Sequence, residues 1–371
     1  MRQKTFLVFA AFAVVAVCVA YANHFHNSFH FDDSHAIVTN VYIRDLHYIP
    51  LFFKDARTGS SLPANQAWRP VLMTQLAIDY HLGHGLSDTL WFHISTFFWF
   101  LIQLILMFIL FHELLDAAAP GPANQYIALF GVAWYGLHPA IAETVNYICQ
   151  SADLLSTLGV VAGMVMYIRL PKLRKFGLYL IPVALGSMAK APAVVFCGIL
   201  LVYIFLFEED GRWNRLSAAI VKSIPAIIVC MVFAYLNVKM VSKTFVPTYM
   251  SSQVYWATQP YVILRYFRSF FMPLWLSADT DLAPLPGFTD PQALLGIGFC
   301  IALLLAGVWA MKRREHRPIA FGIFWFFGAL APTSVFVLSE VENDHRMFFP
   351  FVGLTISVIW AAYLVISRWM S

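Results

Sequence analysis

Ten apolar runs of helical length alternate with short polar stretches along the chain. They cover residues 5–22, 91–112, 125–137, 154–170, 176–189, 191–207, 216–236, 292–311, 319–330 and 349–366. Several are shorter than the roughly 20 residues that span a bilayer, so they are expected to draw on flanking polar residues. Run 5–22 follows a basic start and ends in Ala20-Tyr21-Ala22, which looks like a cleavage site. It exceeds the ~7–15-residue apolar core of a cleaved signal and reads as a retained helix. Either way, the chain lies outside from residue 23.

Residues 23–90 form a long polar-to-mixed first extracytoplasmic loop. Within it, Pro70 suits a first helical turn, and residues 71–82 carry a narrow polar stripe of Thr74, Gln75 and Asp79. That pattern predicts a helix in the interface plane or an ordinary surface helix. Lys and Arg bias sets the orientation. Arg2, Lys4, Arg169, Lys172, Arg174, Lys175, Arg212, Arg215, Lys312, Arg313, Arg314, Arg317 and Arg368 fall inside only if residues 260–277 do not cross. That stretch is expected to dip in or lie flat within an extracytoplasmic segment, 237–291. The outer side then carries Asp32, Asp33, Arg69, His93, His138, Glu143, Asp153, Lys190, Asp279, Asp281, Glu340, Glu342, Asp344, His345 and Arg346. Ionisable groups this dense at helix ends point to a functional site.

Composition agrees with the pattern. The chain is 60% hydrophobic and 12% charged, about half the roughly 25% charge of a soluble domain. The fold class is therefore an all-α polytopic membrane protein, with about ten transmembrane helices in one domain, 1–371. Basic residues come in short bursts between apolar runs, which excludes nucleic acid as a partner. Of five cysteines, only Cys149 lies in a connecting segment, so there is no disulfide framework.

The chemistry concentrates in Phe29-His30-Phe31-Asp32-Asp33-Ser34-His35. Two adjacent carboxylates can serve as a general base and its orienting partner, or simply cap a turn. Together with His24, His26, His30 and His35 they also form a loose set that would suit Zn or Mn. Loop spacing alone does not define such a site, and no metal or other cofactor is assigned.

Five patches, in order, cover nearly the whole chain. They are Phe31-Asp32-Asp33 with Ile37-Val38-Thr39-Asn40-Val41; Trp68-Arg69-Pro70 with His93; His138-Pro139, Glu143-Thr144-Val145 and Asp153-Leu154-Leu155; Lys190; and Ala331-Pro332-Thr333-Ser334 running to His345-Arg346-Met347 and Pro350. In this the chain resembles the GT-C superfamily of glycosyltransferases. It is most similar to the membrane part of the transmembrane-and-tetratricopeptide protein O-mannosyltransferases and their bacterial relatives. It departs from them in Lys190-Ala191, where relatives often carry Lys-Glu, and in Ser151-Ala152, where an Arg often precedes Asp-Leu-Leu. Thr96 stands where Asn is usual, and no tetratricopeptide repeats are present.

The resemblance implies a GT-C-like fold and transfer of a sugar, mannose or a similar hexose, from a polyprenyl- or dolichyl-phosphate donor. The acceptor would be a hydroxyl of a protein or glycan on the extracytoplasmic face. The leaving lipid phosphate needs cations rather than a general acid. Arg346, Lys190 and Arg69, with His345, are the expected phosphate ligands, Arg being suited by its planar fork. Asp32 is the expected base of an inverting reaction and Asp33 its orienting neighbour. His138, Glu143, Asp153 and His93 are expected to bind sugar or acceptor. A lipid-linked glycan ligase would share the clamp, and a transporter or flippase would instead place charge at the midplane. The expected setting is a bacterial plasma membrane with the site facing the periplasm, or the endoplasmic reticulum with a luminal site.

Overall fold

The computed structural model describes residues 2–370 apart from 245–249, without the side chains of Arg2 and Gln3. The inward charge expected of Arg2 therefore lies outside the described side chains. Among the described residues there is no strand. The helices are α1 (Arg2–Ala20), α2 (Ile49–Phe52), α3 (Pro70–Leu82), α4 (Leu90–Ala118), α5 (Asn124–Leu137), α6 (Pro139–Asn146) and α7 (Ser151–Arg169). They continue with α8 (Leu180–Ala189), α9 (Phe196–Tyr203), α10 (Leu216–Lys239), α11 (Ser252–Phe271), α12 (Pro291–Ala310), α13 (Arg317–Val335) and α14 (Phe348–Met370).

All ten apolar runs fall on helices. Among the described residues, eight helices are long and apolar enough to cross a membrane. These are Lys4–His26, Leu90–Ala118, Ile148–Arg169, Ala191–Glu208, Trp213–Lys239, Pro291–Ala310, Arg314–Val335 and Asp344–Met370. The protein is thus an all-α, multi-pass membrane protein. The other two runs make shorter helices, α5 with 14 residues and α8 with 10. At 1.5 Å per residue, α8 is about 15 Å long, half the hydrocarbon thickness. It stops at Lys190, whose extended backbone breaks it before the next turn.

Close helix crossings hold the bundle, because lipid offers helices no hydrophobic drive to associate and tight packing replaces it. A Cβ on Gly159 of α7 would sit 2.4 Å from the Pro182 carbonyl oxygen of α8. Gly322 of α13 and Gly353 of α14 are similarly intolerant of any side chain. The first contact holds α8, which ends at Lys190, against α7; the second holds α13 against α14.

The first loop carries its own small core. Ile37, Ile43, Phe52, Leu72 and Leu76 bury against Phe92, Ile148 and Ala152 of the bundle. Pro70 opens α3 as its fixed φ favours. The polar stripe of α3 does not face water: Asp79 is 2% exposed and accepts a 2.7 Å hydrogen bond from Ser95 Oγ on α4. Burial lifts its carboxyl to about 7.

Helix α11, which covers most of the stretch expected not to cross, is not among the eight apolar spans. It lies along the loop that joins α13 to α14. Gln259 donates to the Val341 carbonyl, Arg265 grips Glu342, and Tyr266 donates to the Asn343 carbonyl. The opposite end of the bundle gathers the basic clusters. Arg174 pairs with Glu208 at 2.7 Å, Lys222 with Glu209 at 2.8 Å, and Arg169 with Glu113 at 2.8 Å.

Candidate functional site

A polar cavity of about 380 Å³ opens where α7 and α14 begin and α8 and α13 end. Its lining includes Asp32, Arg69, Asp153, Lys190, His345 and Arg346, so six of the ten residues expected at the site converge on one space. They come from five separate parts of the chain.

The Asp32 wall is built first by local geometry. Phe31 adopts φ 43°, in the left-handed region that L residues rarely occupy. This turn projects Asp32 away from Asp33. The backbone N–H of Asp32 donates to Tyr147 Oη at 2.7 Å, and the Phe31 ring meets the Tyr147 ring edge-on. One carboxylate oxygen of Asp32 lies 3.2 Å from His35 Nε2, and His35 Nδ1 lies 3.0 Å from Ser60 Oγ. The Asp32 side chain remains half exposed.

Asp33 points the other way and does not line the cavity. It is fully buried, accepting from the backbone N–H of Cys149 at 2.8 Å and of His30 at 3.0 Å. It therefore rivets the first loop to the turn before α7. Burial pushes its carboxyl up to about 7, against the pull of those two bonds.

The cations differ in how they are held. Lys190 Nζ donates to Asp153 at 2.5 Å and to Gln150 at 3.3 Å, a nearly buried ion pair. Arg346 donates to the Glu340 carbonyl at 3.1 Å and reaches the Tyr255 hydroxyl. Tyr255 donates in turn to the Thr333 carbonyl. The Arg69 guanidinium, on the cavity wall, makes no hydrogen bond or ion pair with any other described residue. An unpaired cation beside two others favours an anionic ligand, and Arg offers a bidentate fork for phosphate.

The remaining expected residues lie elsewhere. Glu143 lines a smaller adjoining hollow, 3.7 Å from His345 Nδ1. Burial, then the charge of Asp344, pushes its carboxyl up to about 8. His138 caps α6, accepting from Ala140 N–H at 3.2 Å, and donates to the Phe270 carbonyl at 3.0 Å while stacked on that ring. His93 is buried with His24 and donates to the Asn27 carbonyl at 2.9 Å. Both ring nitrogens of His138 and the Nε2 of His93 are committed to backbone atoms, so neither His138 nor His93 reaches the cavity. The loose histidine set disperses too: His24 bonds Asn146 and the His93 carbonyl. Among the described residues, no group of three His, Cys, Asp or Glu side chains is placed to hold a metal ion.

The cavity also holds residues that no sequence pattern singled out. Tyr147 and Gln150 line it from the turn before α7, and Asn343 from the loop before α14. Tyr147 and Gln150 stand among other polar residues, Thr144, Asn146 and Ser151, so nothing in the sequence set them apart.

The chain matches no family model, no characterised protein and no solved structure at a significant level. Fold and site together define a multi-pass helical membrane protein with a cation-rich cavity at one end of its bundle.

Proposed function

We propose that this protein is an integral membrane glycosyltransferase of GT-C type. It moves a hexose from a polyprenyl- or dolichyl-phosphate donor to an acceptor hydroxyl on the extracytoplasmic face. One observation supports this above the rest: Asp32, Arg69, Lys190 and Arg346 share a single 380 Å³ cavity. That volume lies in the range of small-ligand sites. A carboxylate and a set of cations around one such space are what phosphate departure and hydroxyl attack require.

The reaction balances with these groups alone. The acceptor oxygen forms a bond to the anomeric carbon as the bond to the phosphate oxygen breaks. The leaving lipid phosphate keeps the electron pair, and Arg69 and Arg346 take up its developing charge. The acceptor proton goes to the half-exposed Asp32 carboxylate, and the product is inverted. Lys190, bound to Asp153, sets the local field and anchors the wall. Asp33 holds the Asp32 turn from beneath. In this reading the hexose, mannose or a close relative, lies between Asp32 and the cations.

The test is transfer by the purified protein. Radiolabelled polyprenyl-phosphate hexoses are offered with hydroxyl-bearing peptide and glycan acceptors, and Asp32→Asn is run alongside. Labelled acceptor from the unmutated chain, and its formation slowed about 10²–10⁴-fold in Asp32→Asn, is the expected result. Full transfer by Asp32→Asn, or lipid movement across a vesicle without transfer, would overturn the reading.

A further inference from the structure

Two buried polar atoms without a hydrogen bond face each other: Glu143 Oε1 on α6 and His345 Nδ1 in the loop before α14, 3.7 Å apart. Buried polar atoms are nearly always paired, so an orphaned couple calls for an explanation. One proton between them satisfies both, and a small rotation of either side chain brings them into bonding range. The other ring nitrogen, His345 Nε2, lies 4.0 Å from Asp153 Oδ2, and both residues line the polar cavity. That oxygen already accepts from Lys190 Nζ at 2.5 Å. A proton on Nε2 is thus left for a ligand in the cavity.

The surroundings decide which residue supplies the proton at Nδ1. Glu143 faces Asp344 and Glu340 from the loop before α14 and Asp153 from α7. Lys190 bears on it with the opposite sign from the end of α8, but is already bound to Asp153. Toward the core α6 is apolar, with Ala140, Ile141 and Val145 buried in the main cluster. Three carboxyls against one committed ammonium disfavour a further negative charge in so enclosed a place. Burial, then Asp344, accordingly lifts the Glu143 carboxyl to about 8. At neutral pH Glu143 keeps an O–H, which can donate to Nδ1. A ring nitrogen that accepts carries no proton, so the proton of the neutral imidazole sits on Nε2. At higher pH one proton leaves Glu143 for water, and the carboxylate draws the ring proton from Nε2 to Nδ1. Nε2 then turns a lone pair toward the cavity.

We propose that Glu143 is a positioning residue: by donating to His345 Nδ1 it holds the imidazole as its Nε2–H tautomer, which offers the ligand phosphate an uncharged donor beside the cavity's cations. This rests on the lipid-phosphate donor given under the proposed function. A neutral N–H adds a hydrogen bond to the phosphate without adding another positive charge to Arg69, Lys190 and Arg346. The grip on the phosphate then depends on one buried proton that the ligand never touches.

Two measurements on the full chain in nanodiscs test it. The first is nitrogen-15 NMR of histidine-labelled protein, with His345→Gln used to assign the ring signals. His345 Nδ1 should give the shift of an unprotonated nitrogen at about pH 7 and of a protonated one at about pH 9, and Glu143→Gln should show no such switch. The second is titration of polyprenyl methyl phosphate, a phosphodiester whose single charge is constant over this window. Its affinity should fall about tenfold as pH rises through about 8, the scale of one hydrogen bond to a charged group. Glu143→Gln, whose amide can donate to Nδ1 but cannot ionise, should bind equally well at both ends. A proton already on Nδ1 at neutral pH, an equal fall in Glu143→Gln, or bound phosphodiester with no fall in the unmutated chain overturns the proposal. Should Glu143→Gln fail to fold, the unmutated chain decides: one midpoint for tautomer and affinity supports the proposal, and separate midpoints overturn it. A tautomer switch with no binding of the phosphodiester at any pH would sink the transferase reading and leave the Glu143–His345 coupling standing.

Discussion

Removing Arg69 separates ligand binding from folding more cleanly than any other change at the cavity. Its guanidinium has no partner among the described residues, and its charge bears unfavourably on neighbouring Lys190. Arg69→Gln therefore deletes a cation that holds nothing together. The melting temperature should stay level or rise slightly, since a like-charge contact is relieved. Donor binding should suffer, because a charge-assisted hydrogen bond to phosphate contributes about 1.5–3 kcal/mol. At 1.4 kcal/mol per decade, that is roughly a 10- to 150-fold loss in affinity. Arg69→Lys should recover only part of it, since the ammonium is a point charge without the fork. The assay is titration of a polyprenyl phosphate into nanodisc-embedded protein, with a thermal melt on the same samples. Unchanged affinity at unchanged melting temperature would refute the placement of phosphate at Arg69.

Lys190 should behave oppositely, because breaking its nearly buried pair with Asp153 strands a charge at about 3–5 kcal/mol. Lys190→Met should melt markedly lower, and Lys190→Met with Asp153→Leu should recover most of that loss; additive losses in chemical denaturation would show the pair is not coupled. Asp79, raised to about 7 when folded, binds a proton on folding. Its contribution to stability is thus full below about pH 4 and lost as pH rises through about 7. Asp79→Asn should flatten the fall in melting temperature over that window, and an unaltered slope would contradict the burial argument. Tyr147→Phe removes the hydroxyl that accepts from the Asp32 backbone while keeping the ring against Phe31. The lost bond is of the order of 0.5–1.5 kcal/mol, so kcat should drop about 2- to 12-fold with KM for donor unchanged. A change in KM alone would assign Tyr147 to binding.

What was legible in the sequence follows from which interactions are local. Apolar runs report helices directly, so every one of the ten lies on a helix. Where a helix ends depends on its neighbours: α8 stops at Lys190 because that residue turns toward Asp153 on α7. Grouping charges by the side expected from alternating helix ends put Asp32, Arg69, Asp153, Lys190, His345 and Arg346 together, and these six line one cavity. The charges assigned to the inner side, such as Arg169 and Arg174, sit at the other end of the same helices. Histidine was the weak point. An imidazole serves a site and a buried carbonyl equally well, and only packing revealed that His93 and His138 bond backbone oxygens. The inward stripe of α3 was hidden for the same reason, since Ser95 meets Asp79 across two helices. Tyr147 carried no pattern at all, because its role comes from a contact 115 residues away.

The most direct measurement of the central claim follows the donor phosphorus by NMR in nanodiscs holding the purified protein, donor and acceptor. Transfer with Asp32 as base predicts that the phosphodiester signal converts to the lipid phosphomonoester, one for each acceptor glycosylated. Asp32→Asn should show the donor signal shifted by binding but converting slower by about 10²–10⁴-fold. Conversion at full rate in Asp32→Asn, or bound donor that stays intact in the unmutated chain with every acceptor offered, would contradict it.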